Sequence, residues 1–387
     1  MNNFQFKNPT KLIFGKGEIA SLKNEICKNN KILITYGGGS IKRNGVYNQV
    51  IAALDGYDYI EFGGIEANPK YETLMEAVEV VKSQNITFIL AVGGGSVIDG
   101  TKFIAMAANY TSTNDPWDFV VNVKNCTTTT PMPFAAVLTL PATGSEMNCG
   151  AVVSRLSTNE KFAFSIDTNF PQFSILDPQV CYSLPQKQRA NGVIDTFCHT
   201  LEQYLTYPTD SRVQDRFSEG VLLTLKEIGK DIVYGDENYD VMANFMFSAT
   251  MGLNGFLSMG VPEDWATHMI GHELTAFFGL DHGVTLAIVG PSLMRVMKEE
   301  KREKLIQYGE RVWGINSGDS DVRVEATIKA TENFYNSLGV KTHLSDYGIE
   351  TEKIEEIVER FRSRGWNMGE KGAVTPEKVA EILKGAL

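Results

Sequence analysis

Through its first half the chain alternates short β-branched runs with apolar positions at helical spacing. Lys31–Tyr36 (Lys-Ile-Leu-Ile-Thr-Tyr), Tyr57–Phe62 and Ile86–Val92 each read as strands, and Phe134–Leu140 as a further one. Helical patterns fall between them, near Tyr47–Leu54 and over Tyr71–Ser83, where Leu74, Val78 and Val81 mark one face. The run at 86–92 carries no charge, the pattern of a strand buried on both faces. Such alternation predicts a parallel sheet wrapped by helices. Shorter strand-like runs follow at Lys161–Ile166 and Phe173–Leu176.

Beyond Leu184-Pro185 the texture changes to long amphipathic patterns, among them Arg212–Ile228, Val241–Leu253, Ile354–Phe361 and Pro376–Leu383. The expectation is an α/β domain over residues 1–185 and an all-helical domain over 186–387. Hydrophobic residues make up 43% and charged residues 21%, which supports a substantial core. The net charge of −11 argues against nucleic acid or an anionic membrane as partner. The five cysteines form no Cys-x-x-Cys pair, so a reduced, cytoplasmic protein is expected. The first ten residues lack the apolar run of a signal peptide, and no stretch approaches the ~20 apolar residues of a membrane span.

Four of the five histidines fall between residues 199 and 282. On a helix, Asp195, His199 and Glu202 share one face, and His268 and His272 repeat the one-turn spacing on a second helix. Asp281-His282 follows. A carboxylate and several imidazoles from separate segments can close around a divalent ion. Cys198 adjoins His199, but sequence neighbours on a helix point about 100° apart, which argues against a Cys–His nucleophile.

Two loops, Gly37-Gly38-Gly39-Ser40 and Gly93-Gly94-Gly95-Ser96, each follow an apolar strand and precede a helix. Glycine there lets backbone approach a phosphate. The ordinary Gly-x-Gly-x-x-Gly pattern is absent. A third loop, Thr139 to Glu146, offers hydroxyls and a bare glycine suited to a diphosphate or a nicotinamide amide. After the first loop comes Ser40-Ile-Lys42-Arg43, two cations and no acid, which favours NADP(H) over NAD(H).

These loops and the Asp195/His199/His268/His282 spacing resemble the iron-dependent (group III) alcohol dehydrogenase family, in particular its butanol dehydrogenases and NADPH-dependent aldehyde reductases. The resemblance runs from Asn8-Pro-Thr to Asp264-Trp-Ala-Thr-His268-Met-Ile-Gly-His272 and includes Gly93 to Lys102, Ala142 to Glu146, Asp177-Pro178 and Leu184-Pro185. It implies a dehydroquinate synthase-like fold, with Asp195, His199, His268 and His282 holding one divalent metal, Fe²⁺ or Zn²⁺. His272 would lie beside the metal as a proton relay, and Glu202 would stand behind the ligands or serve structure alone. Gly37 to Ser40 would line the adenosine ribose. Gly94, Gly95, Ser96 and Asp99 would hold the diphosphate and ribose, with Thr139 and Ser145 close to the cofactor. It also implies a homodimer.

The function expected is reversible hydride transfer between NAD(P)H, NADPH favoured, and short- to medium-chain primary alcohols and aldehydes such as butanol and butanal. Two alternatives remain at this point. One is a non-redox relative resembling dehydroquinate synthase, against which the scarcity of cations over residues 186–290 counts. The other is a non-catalytic metal- or nucleotide-binding regulator.

Overall fold

A computed structural model describes every residue of the chain except Asn114 and Thr127, and Glu352 by its backbone alone. The chain forms two compact units. One contains Lys7–Leu184 and Glu237–Asn254; the other contains Met1–Phe6, Pro185–Asp236 and Gly255–Leu387.

The first unit is built on eight strands: β1 (Lys11–Phe14), β2 (Lys31–Thr35), β3 (Asp58–Phe62), β4 (Phe88–Gly93), β5 (Phe134–Leu138), β6 (Gly150–Arg155), β7 (Glu160–Ser165) and β8 (Phe173–Leu176). Six of them make one parallel sheet in the order β1-β8-β5-β4-β2-β3. Every residue of β4, β5 and β8 is buried, which is why these runs carry apolar side chains without alternation. At the edges, β1 and β3 are only partly covered.

The expected run at 161–166 is a strand, but it does not join this sheet. As β7 it pairs antiparallel with β6 in a separate two-stranded ribbon, with Ala151 opposite Phe164 and Val153 opposite Phe162. In β6 the buried residues alternate, Ala151 and Val153, as in a ribbon with one covered face.

The helix Tyr239–Gly252 belongs to this α/β unit, which departs from the expectation of one helical domain over 186–387. The reason lies in polar contacts. Thr250 donates to the buried Glu146 carboxylate at 2.5 Å, and Asn148 donates to the Leu253 carbonyl at 2.9 Å. Gly144, at φ 61°, brings the 139–148 loop so close that a Cβ would lie 3.1 Å from the Ala249 carbonyl oxygen. An amphipathic pattern reports that a face is covered, not which unit covers it.

In the helical unit, the helix Gln186–Tyr204 is buried from Gly192 to its end. Phe197 sits among Trp313, Phe334 and Tyr335. A helix so enclosed must satisfy its polar side chains internally. Thr196 donates to the Gly192 carbonyl, Thr200 to Thr196 and Gln203 to His199. Asp195 and Glu202 instead face the histidines.

Candidate active site

Three helices of the helical unit supply the metal-ligand candidates. Asp195 and His199 stand one turn apart on Gln186–Tyr204, His268 and His272 on Ala266–Phe278, and His282 opens His282–Val296. Close packing holds the helices together. A Cβ on Gly283 would lie 2.8 Å from the Asn191 Cα, and one on Gly271 would lie 2.7 Å from Thr285 Oγ1.

The geometry centres on one oxygen. Asp195 Oδ1 lies 3.5 Å from Nε2 of His199, 3.5 Å from Nε2 of His268 and 3.5 Å from Nε2 of His282. Asp195, His268 and His282 also form a group whose ligand atoms all lie within 4.8 Å of one another. Four ligands held tetrahedrally at ~2.1 Å from an ion are ~3.4 Å apart. The observed spacing is therefore that of atoms sharing an ion, and too long for direct hydrogen bonds. Asp195 Oδ1 and His268 Nε2 are buried without a hydrogen-bond partner among the described residues. Orphaned buried atoms that each offer a lone pair, aimed at one point, fit a divalent cation held by nitrogen and oxygen.

The neighbours complete the picture. Glu202 takes the Thr267 N–H at 2.6 Å with one oxygen and contacts His268 Nδ1 with the other. That contact fixes which ring nitrogen of His268 faces the site. Burial alone would lower the His268 imidazole, but the Glu202 and Asp195 carboxylates hold it up at about 9. Burial also opposes charge on Asp195, yet His199 and His282 keep its carboxyl well below the usual range. A divalent ion replaces the shared proton in such a set.

His272 is buried, with its ring centroid 5.7 Å from that of His282. Trp265, at φ 64°, adopts the left-handed region that non-glycine residues rarely enter, and its ring lies against His199 and His268. Just before it, Asp264 accepts from the Ala266 N–H and from the buried Lys301 ammonium. Cys198 points away to the Tyr335 hydroxyl, and burial raises its thiol, so no Cys–His nucleophile forms.

In the α/β unit the glycine loops differ from one another. Gly38 and Gly39 have open space where a Cβ would stand, whereas one on Gly94 would lie 2.9 Å from Leu140 Cβ and one on Gly95 2.5 Å from the Thr143 side chain. The second loop's glycines thus serve close packing against the third loop as well as backbone exposure. Ser96 accepts from the Asn68 N–H at 3.4 Å, and Thr139 N–H donates to the Gly93 carbonyl at 3.0 Å.

Asp99, expected to face the cofactor, has both oxygens engaged by protein. Ser145 Oγ donates to one at 2.6 Å and the Val152 N–H to the other at 2.9 Å. The residue that sequence reading missed is Lys102. Fully buried, it donates to Ser145 Oγ, Asn148 Oδ1 and the Gly150 carbonyl at 2.9, 2.8 and 2.6 Å. Burial pulls this ammonium down to about 8, and Asp99 opposes the fall. Its signal in the sequence is a lysine one turn beyond Asp99 in an otherwise apolar helix.

The sequence matches the family described as iron-containing alcohol dehydrogenase over residues 9–178, and that family's C-terminal region over residues 189–387. The chain belongs to the iron-containing alcohol dehydrogenase family. Within this family it is 53% identical over 387 residues to the NADPH-dependent aldehyde reductase YqhD of Escherichia coli K12, covering 100% of both chains. It is 37% identical to NADH-dependent butanol dehydrogenase A of Clostridium acetobutylicum, covering 99% of each. Among solved structures, the substrate- and cofactor-free E. coli reductase superimposes with a TM-score of 0.92 at 51% identity over 100% of both chains. Butanol dehydrogenase A of Thermotoga maritima gives 0.94 at 35% identity, over 100% of this chain and 99% of that one. The chain is thus an NAD(P)-dependent oxidoreductase, which leaves the non-redox and regulator readings without support. No helix among the described residues is long and apolar enough to cross a membrane.

Proposed function

We propose that this enzyme interconverts short- to medium-chain aldehydes and primary alcohols, with NADPH favoured over NADH, around one divalent ion held by Asp195, His199, His268 and His282. The observation that carries the metal assignment is the single Asp195 oxygen set 3.5 Å from three imidazole nitrogens. Iron or zinc fits this mixed nitrogen and oxygen set. The 53% identity to an NADPH-dependent aldehyde reductase supports the substrate class and the cofactor. Five cysteines with no disulfide among the described residues support a cytoplasmic setting, and a homodimer completes the reading on family resemblance.

When bound, the ion supplies Lewis acidity at the carbonyl oxygen. The chain's own residues do the rest. Glu202 holds His268 with Nε2 forward, and Asp195 supplies the one anionic ligand. A bound dihydronicotinamide would supply the hydride for the aldehyde carbon, and His272, buried beside His282, would supply the proton for the oxygen. In the α/β unit, Lys102 and Asp99 clamp the Ser145 hydroxyl so that the 139–146 loop keeps one shape. Within the Gly37 to Ser40 loop, Gly38 and Gly39 offer open backbone for the adenosine ribose and its phosphate.

The test is NADPH oxidation with butanal by protein loaded with Fe²⁺ or Zn²⁺. Activity with one ion is expected, and none with either refutes the reading. His268→Ala should abolish turnover and metal retention while the far-UV circular dichroism stays that of the parent.

A further inference from the structure

The first glycine loop stands beside a charge pair that its own sequence neighbourhood does not reveal. β2 and β3 lie parallel, with Ile34 opposite Glu61. The ladder runs on past the strands, Tyr36 N–H to the Phe62 carbonyl and Gly64 N–H to the Gly37 carbonyl. Glu61 therefore comes to the edge of the loop where ligands bind in open α/β sheets, at the carboxyl ends of the strands. It stands near where the ordinary dinucleotide fold carries its acid, the one that takes a ribose 2′-hydroxyl and repels a 2′-phosphate.

Here that carboxylate is covered. Tyr36 Oη donates to it at 2.9 Å, Lys42 Nζ at 2.8 Å, and Tyr47 Oη bonds its second oxygen. The Lys42 ammonium also lies 4.8 Å from the Tyr36 ring centroid and 4.7 Å from that of Tyr47. Tyr36 packs so closely on Gly63 that any Cβ there would collide with its ring. The hydrogen bond to Glu61 holds the Tyr47 phenol up at about 12, so it stays a donor. An isolated surface ion pair means little, but three donors on one carboxylate make a built network. Lys42 remains 43% exposed in its side chain and Glu61 27%, so both stay open to a ligand.

We propose that Glu61 is a specificity-determining residue, setting how strongly this loop prefers a 2′-phosphorylated adenine nucleotide by pairing with Lys42. The pair is balanced. Lys42 offers the cation that a 2′-phosphate requires, and Glu61 takes up part of that charge. Removing the acid uncovers the cation and strengthens the preference; removing a donor that covers the acid weakens it. The proposal rests on the reading that this loop takes the adenosine end of the dinucleotide.

The test compares binding of adenosine 2′,5′-bisphosphate and 5′-AMP by calorimetry, which needs neither metal nor turnover. In Glu61→Gln the ratio of affinities should shift roughly tenfold toward the bisphosphate. In Tyr47→Phe, which strips one donor from the acid, it should move the other way, and Lys42→Met should lose most of the preference. Mere loosening of the loop weakens both ligands together and leaves the ratio alone. An unchanged ratio in Glu61→Gln and Tyr47→Phe overturns the proposal while the loop assignment stands. If the parent protein binds neither nucleotide, the loop assignment falls and takes the proposal with it. Melting curves confirm that each variant is folded, and either of the first two variants suffices.

Discussion

His268 is held at both ends by carboxylates, Glu202 at Nδ1 and Asp195 facing Nε2. Glu202 is thus the negative charge behind the ring, on the side away from the ion. Glutamine at 202 keeps the size and can still accept the Thr267 N–H, but it removes that charge. Glu202→Gln should therefore weaken Zn²⁺ or Co²⁺ binding about 10–100-fold with little loss of fold. Competition against a chromogenic chelator measures this directly, and an unchanged affinity would show that Glu202 serves structure alone. At this scale the cluster was legible because helical spacing forces Asp195 and His199 to one face. What Glu202 touches was not legible, since the contact joins two helices that spacing cannot orient. Lys102 was less legible still, because its place one turn beyond Asp99 in a largely apolar helix suggests burial but not the loop atoms it bonds.

Among the elements, the long buried strands and the helices were read closely. The helix at 71–83 matches its expected span, and β2, β4 and β5 fall within or near theirs. β1 escaped notice because it is four residues long and ends against glycine; β6 because its apolar run, Ala151-Val152-Val153, is only three residues long and follows a glycine. Element ends carry the site's precision. The helix that begins at His282 has Gly283 as its second residue, and a Cβ there would lie 2.8 Å from both the Asn191 Cα and its carbonyl oxygen. Both obstacles are backbone, so neither can swing aside. Gly283→Ala should cost about 1–3 kcal/mol of stability. It should also lower the metal content, because His282 moves with its helix. Differential scanning calorimetry with metal analysis checks both, and a variant with parental melting and metal content would refute this account of the packing.

At the scale of the whole molecule, the chain crosses between its units more often than composition revealed. The texture change at 185 marks a real break, between Leu184 and Pro185, yet residues 237–254 return to the α/β unit and Met1–Phe6 join the helical one. Periodicity cannot distinguish these cases, because a helix covered by a loop and a helix covered by other helices show the same apolar stripe. The returning segment supplies the partner of buried Glu146 through Thr250, receives Asn148 at the Leu253 carbonyl, and closes over Gly144. Without it, Glu146 becomes a buried carboxylate lacking that donor, which typically costs several kcal/mol. A fragment of residues 7–184 should therefore lack a cooperative thermal transition despite holding all eight strands. Adding residues 237–254 through a flexible Gly/Ser linker should restore the transition, since that helix packs against the 178–183 turn at the fragment's end. Circular dichroism melts of the two fragments decide the matter. A cooperative transition in 7–184 alone would mean that the sheet and its loops fold without the returning helix, and that the 139–148 loop does not depend on it for its shape.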